Sequence, residues 1–123
     1  MNDNTERPDV RLRIVFAPDV MLGPGKAELL ERIDKTGSIS AAGREMGMSY
    51  KRAWMLVGAL NAMFEGPLVH SARGGRKGGG AIVTPLGQKV LHLYRAVETR
   101  AAESGARELQ EMSDLLSDMA KGK

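Results

Sequence analysis

GSISAAGREMGMSYKRAWMLVGALNAMF, Gly37 to Phe64, is the stretch whose reading decides the fold. Ser38 is a good N-cap, and Ile39, Ala42 and Met46 follow at i, i+3 and i+7, the apolar stripe of a short helix. Gly47 supplies the left-handed position that stops it. Ser49 then caps a second helix whose stripe is Ala53, Val57, Leu60 and Phe64. A glycine-containing turn of about three residues between two helices is the layout of a helix-turn-helix. Ala41, Ala42 and Gly43 are small enough for the first helix to lie very close to the second.

On the outward face of the second helix, at about 100° per residue, Lys51, Met55, Gly58 and Ala62 point away from the stripe, with Arg52 on the flank. A solvated face ordinarily carries Glu, Lys or Gln along its length; here charge is confined to the first turn and small residues follow. Two readings fit: a helix whose N-terminal end enters a DNA major groove, or a buried α-hairpin with basic residues on its rim. By the same wheel Tyr50 lies toward the buried side but in the first turn near the groove, where its hydroxyl can reach a phosphate. Trp54 lies on the flank, where it packs on the core or the next hairpin or else contacts a base or sugar.

The second signal follows directly. Leu68–Ser71 and Ala81–Thr84 are β-prone runs, and between them lies Ala72-Arg-Gly-Gly-Arg-Lys-Gly-Gly-Gly80. Five of the seven residues from Gly74 to Gly80 are glycine, and the other two are Arg76 and Lys77. Such a tip packs no core. With Arg73, Gly74, Gly75, Arg76 and Lys77 it brings a backbone close to a partner while presenting cations, as a wing lying on phosphates or in a minor groove does. A solvated hairpin tip is the alternative. A phosphate-cradling nest would want a helix N-terminus directly after the glycines, and a strand follows.

Upstream, residues 1–10 read as a polar, disordered arm. Leu12, Ile14 and Phe16 alternate as a half-buried strand, Pro18-Asp19 turns the chain, and Val20–Leu22 returns it. Gly23-Pro24-Gly25-Lys26 resembles a phosphate loop only superficially, because Ala27 stands where Ser or Thr is needed. It reads as a loop into a helix reaching about Thr36, with Leu29, Leu30 and Ile33 inside. Downstream, Thr84-Pro85 opens a helix with Leu86, Val90, Leu93, Tyr94 and Val97 at helical spacing. Leu109, Met112, Leu116 and Met119 continue a coiled-coil-like seam to about Met119, with Gly105 as a weak point; the sequence leaves open whether the helix is continuous there. Such a stripe wants a partner, either its own domain or a second copy.

Composition narrows the function. In 123 residues, 42% hydrophobic and 27% charged, there is no cysteine. That excludes disulfides, thiolate metal sites and a cysteine nucleophile. His70 and His92 read as structural rather than as ligands. No nucleophile–base pair or metal spacing stands out, so neither an enzyme nor a bound cofactor is expected. No apolar run of membrane length and no leader is present, and the expected location is the cytoplasm. The net charge of +3 is unevenly spread. Arg44 to Lys77 holds six basic residues against two acidic, and Glu98 to Asp118 holds six acidic against two basic, so one region suits a polyanion and the other does not.

The segments GSISAAGREMGMSYKRAW, LNAMFEGPLV and GGRKGGGAIVTPLGQKVLHLY resemble the N-terminal winged-helix domain of the ModE family of molybdate-responsive transcriptional regulators, and more distantly LysR-type DNA-binding domains. The resemblance covers Arg11 to Val97. It implies a winged helix-turn-helix that dimerises through the helix after the wing, with double-stranded DNA contacts at Ser49, Tyr50, Lys51 and Arg52 and at Arg73, Arg76 and Lys77. Met55 joins them from the helical wheel. ModE-family members also carry C-terminal β-barrel-like molybdate-binding domains. This chain reaches Lys123 with no further strands, so molybdate is not expected of it alone.

The expectation is therefore a mostly α protein with small β-hairpins: a winged helix-turn-helix over 11–97 and a C-terminal dimerisation helix over 98–123. Its function is sequence-specific binding of DNA as a homodimeric regulator. A winged-helix protein-interaction module, or an accessory protein of molybdate metabolism without DNA binding, is the alternative. Replacing both Arg76 and Lys77 by Ala is expected to lower the slope of log affinity against log salt by about one unit per lost phosphate contact, read by DNA titration at several salt concentrations.

Overall fold

The computed structural model describes residues 8–72 and 80–120. An antiparallel ribbon comes first, β1 (Ile14–Ala17) and β2 (Val20–Leu22), turned at Asp19 with φ 65°. The strand is shorter than the alternation suggests. Phe16 does not face inward with Leu12 and Ile14, because the register shifts between Val15 and Ala17. Its ring instead meets Phe64 edge-on, 6.0 Å between centroids.

Helix α1 (Pro24–Thr36) begins earlier than the glycine-rich reading implies. Gly23 is the extended N-cap and Pro24 the first helical residue, where its missing N–H costs nothing. Gly25 and Lys26 are thus first-turn residues, and the Lys26 ammonium donates to the Met21 carbonyl at 3.0 Å. Leu29, Leu30 and Ile33 are fully buried, as expected. The helix ends on Gly37 at φ 70°, whose N–H returns to the Ile33 carbonyl.

Helices α2 (Ile39–Glu45) and α3 (Tyr50–Met63) are capped as the sequence indicates. Ser38 Oγ accepts from the Ala41 N–H at 3.0 Å, and Ser49 Oγ from the Arg52 N–H at 3.1 Å. Gly47, at φ 72°, turns the chain between them. The helices meet at Gly43, where an added Cβ would lie 2.9 Å from the Ala53 Cβ. Across the other side of α2, Arg32 pairs with Glu28 at 2.6 Å and with Glu45 at 2.9 Å, tying α1 to the end of α2.

Strands β3 (Val69–Ala72) and β4 (Gly80–Val83) form the second antiparallel hairpin, in register from Val69↔Val83 to Ala72↔Gly80. Val69, Ala81 and Val83 turn inward and Ile82 outward. Helix α4 (Pro85–Ser104) follows, capped by Thr84 Oγ1, which accepts from the Gly87 N–H at 2.9 Å. Helix α5 (Ala106–Asp114) comes last.

The last two helices answer the question that Gly105 left open, and the helical run stops short of Met119. Gly105 sits between them at φ −97° and ψ 15°, although its N–H still reaches the Ala101 carbonyl. Helix α5 closes at Asp114 with short i→i−3 bonds from Leu115 and Leu116, so Leu116 and Met119 lie beyond it. Ser113 and Asp114, whose side chains compete for backbone hydrogen bonds, favour that stop.

The chain divides into two compact units: Leu12–Tyr94, and the segments before and after it. The first holds the hydrophobic core, from Leu22 through Leu29, Leu30, Ile33, Leu60 and Leu68 to Tyr94. Tyr94, itself buried, donates its hydroxyl to the Leu12 carbonyl at 2.6 Å. In the second unit none of the described residues is fully buried.

Placing a methyl on Gly43 forces α2 and α3 apart. Gly43→Ala is expected to destabilise the fold by about 1–3 kcal/mol, as overpacking does. Ala53→Gly alone costs about 1 kcal/mol of helix propensity. Urea denaturation of the double variant should show less destabilisation than the sum of the two, because each change relieves the other's defect.

Candidate nucleic-acid interface

The buried side of α3 is Ala53, Val57 and Leu60, with Phe64 half-buried just past its end. This fixes what the opposite side shows. Ser49, Tyr50, Lys51, Arg52, Trp54 and Met55 are all exposed. Gly58, Ala59 and Ala62 are exposed further along, and nothing lies within 4 Å of where a Gly58 Cβ would be. All the large side chains on this face therefore stand on the first two turns.

Two residues sit differently from the helical-wheel reading. Tyr50, the first residue of α3, is 63% exposed rather than turned inward. Trp54, placed by sequence on the core or the hairpin, is 38% exposed and meets Tyr50 edge-on at 6.0 Å and 60°. The pair builds an aromatic step beside Lys51, Arg52 and Met55. Neither Lys51 nor Arg52 has an ion-pair partner among the described residues. Both cations stand at the N-terminal end of α3, where the helix dipole is also positive.

Arg73, Gly74, Gly75, Arg76 and Lys77, the wing residues expected from sequence, lie outside the described residues. What is described is how the hairpin carrying them is fastened. At the root of β4, the Ala81 N–H donates to the Gly37 carbonyl at 2.9 Å, tying the strand to the start of the helix-turn-helix. Asn61 of α3 clamps the root of β3. Its Oδ1 accepts from the Leu68 N–H at 2.8 Å and the Val69 N–H at 3.0 Å, and its Nδ2 donates to the Val69 carbonyl at 3.0 Å. Thr84 Oγ1 donates to the Pro67 carbonyl at 2.8 Å while capping α4. Gly87 admits the Leu68 carbonyl against α4, where an added Cβ would also stand 2.7 Å from Val83 Cγ1.

Asn61, which positions the hairpin, is the residue that the sequence reading missed. The signal was present: it is the sole polar side chain between Met55 and Phe64. His70 and His92 are both at the surface. Leu93 and Val97, placed by spacing with Val90 and Tyr94, are exposed, as are Met112, Leu115, Leu116 and Met119. Among the described residues no helix is long and apolar enough to cross a membrane.

Residues 25–88 match the family described as bacterial regulatory helix-turn-helix protein, lysR family. The chain is 48% identical over 82 residues to the molybdenum-pterin-binding protein MopB of Rhodobacter capsulatus, covering 67% of this chain and 30% of that protein. It is 46% identical over 98 residues to MopA of the same organism, 80% of this chain and 36% of that one. It is 34% identical over 110 residues to the DNA-binding transcriptional dual regulator ModE of Escherichia coli, 89% of this chain and 39% of that one. The matched region thus spans between 30% and 39% of these relatives' lengths.

Asn61 lies within the matched segment, and its three hydrogen bonds join α3 to the hairpin. Asn61→Ala is expected to cost about 1–3 kcal/mol, since it strands two N–H groups and a carbonyl. Asn61→Asp keeps the acceptor for both N–H groups and loses only the donor, so it should cost less. Urea denaturation of the two variants checks the order.

Proposed function

The chain belongs to the lysR family of bacterial regulatory helix-turn-helix proteins, and we propose that it binds double-stranded DNA as a sequence-specific transcriptional regulator. The observation that carries this is α3: capped at Ser49, buried along Ala53, Val57 and Leu60, and exposing Tyr50, Lys51, Arg52 and Met55 at its N-terminal end. In this reading, residues Ser49 to Met55 enter the major groove and contact base edges. Arg73, Arg76 and Lys77 hold the flanking backbone, and Gly74 and Gly75 let the wing's main chain come close to it. The hairpin's attachment to α3 through Asn61 supports a wing held in fixed register with the reading helix.

We assign residues 11–97 to the DNA-binding domain, 98–123 to dimerisation and 1–10 to an arm. The exposed Val97 on α4, Met112 on α5, and Leu115, Leu116 and Met119 beyond it supply apolar side chains for a second copy. A two-fold dimer suits an operator with two half-sites. The role is that of a cytoplasmic regulator without catalysis. Molybdenum-pterin binding is what the names of two of the longer relatives state of those proteins.

Selection of bound duplexes from a randomised library is expected to enrich an inverted repeat, with half-sites spaced by about one helical turn or a multiple of it. Sedimentation at micromolar concentration should give a dimer, and removal of residues 103–123 a monomer. A library with no enriched sequence, and an affinity that Lys51→Ala and Arg52→Ala leave unchanged, would refute the reading.

A further inference from the structure

On the exposed turns of α3, we infer that Trp54, Tyr50 and Met55 form an apolar reading surface that recognises thymine by its C5-methyl group, with Trp54 a specificity-determining residue. This rests on the DNA-binding reading above and names what that surface reads. Tyr50 and Met55 are 63% and 62% exposed, and Trp54 joins Tyr50 at 6.0 Å in an edge-to-face pair. A pair of exposed rings in contact, with Met55 exposed at the next position, is a standing cost that contact with an apolar partner removes.

The basic residues beside them say which partner. Lys51 and Arg52 flank the three on the same two turns and lack ion-pair partners among the described residues, so the surface suits a polyanion whose exposed edge is partly apolar. In a DNA major groove the only apolar group on a base edge is the thymine methyl. Guanine presents acceptors and cytosine a donor there, and neither Trp54 nor Met55 carries a group that pairs with the guanine acceptors in the way an arginine does. Lys51 and Arg52 remain for phosphates or guanine. The small exposed residues that follow, Gly58, Ala59 and Ala62, add no competing side chain to the face.

The test deletes the methyl and leaves everything else. In the duplex selected from the randomised library, each thymine is replaced singly by deoxyuridine, which keeps the base-pairing edge and the phosphates. At one or more positions per half-site the unaltered protein is expected to lose about four-fold in affinity, the effect of one buried methyl. Trp54→Ala and Met55→Ala should bind the thymine duplex more weakly, and each should become indifferent to one of those uracils. Trp54→Phe, which keeps an aromatic ring, should retain the discrimination. Circular dichroism of each variant confirms that α3 is intact. Tight binding that no single uracil weakens would overturn the inference while leaving DNA binding standing. So would a uracil penalty that persists undiminished in both alanine variants. Failure to bind any duplex would overturn the DNA-binding reading, and this inference with it.

Discussion

Gly43 of α2 and Ala53 of α3 approach so closely that a single methyl on the glycine would stand 2.9 Å from the alanine Cβ. That contact sets the separation of the two helices, and several other features follow from it. With Ala53 seated against α2, the helical period places Val57 and Leu60 in the core and leaves Tyr50, Lys51, Trp54 and Met55 outside. A wider crossing would roll α3 and move its exposed face. The turn is kept short by Gly47 at φ 72°, a conformation costly for residues with a Cβ, so the helices cannot drift apart along the chain.

The hairpin is held to the same helix by polar bonds rather than by packing alone. Asn61 supplies an acceptor to two N–H groups and a donor to one carbonyl. From the other side, the Gly37 carbonyl, which belongs to the left-handed cap of α1, takes the Ala81 N–H. Helix caps and strand roots thus share groups: Gly37 ends α1 and anchors β4, while Thr84 begins α4 and binds the Pro67 carbonyl. Hydrogen bonds are directional, so this arrangement fixes hairpin register where apolar contact alone would allow sliding.

What the sequence made legible was local chemistry. The caps at Ser38, Ser49 and Thr84 and the glycine stops at Gly37 and Gly47 are written in single residues, and the structure has them in place. The small residues of α2 announced a close approach, and Gly43 makes it. Less legible was anything that depends on what covers a helix. A wheel turns Tyr50 toward the buried side, whereas the structure exposes it, and Trp54 stands part-exposed on the flank. Nor does spacing distinguish Val90 and Tyr94, which meet the core, from Leu93 and Val97, which do not. Asn61 escaped because its partners are backbone groups seven and eight residues away, which carry no side-chain signature. The phosphate-loop look of Gly23 to Lys26 resolved into an ordinary helix start, since Pro24 takes the first helical position.

Two exposed apolar clusters remain, and charge separates their roles. Around Tyr50, Trp54 and Met55 the neighbouring ionised groups are Lys51 and Arg52, so a polyanion gains Coulomb attraction as it covers the rings. Along the C-terminal helices the exposed Leu93, Val97, Met112 and Leu116 stand in a segment that carries Glu98, Glu103, Glu108, Glu111, Asp114 and Asp118 against only Arg100 and Arg107. A phosphate backbone approaching that segment meets like charge, which opposes the contact. Apolar area alone would make both surfaces equally adhesive to the same partner. The sign of the flanking residues removes that ambiguity: a polyanion is attracted to the basic N-terminal end of α3 and repelled by the acidic segment.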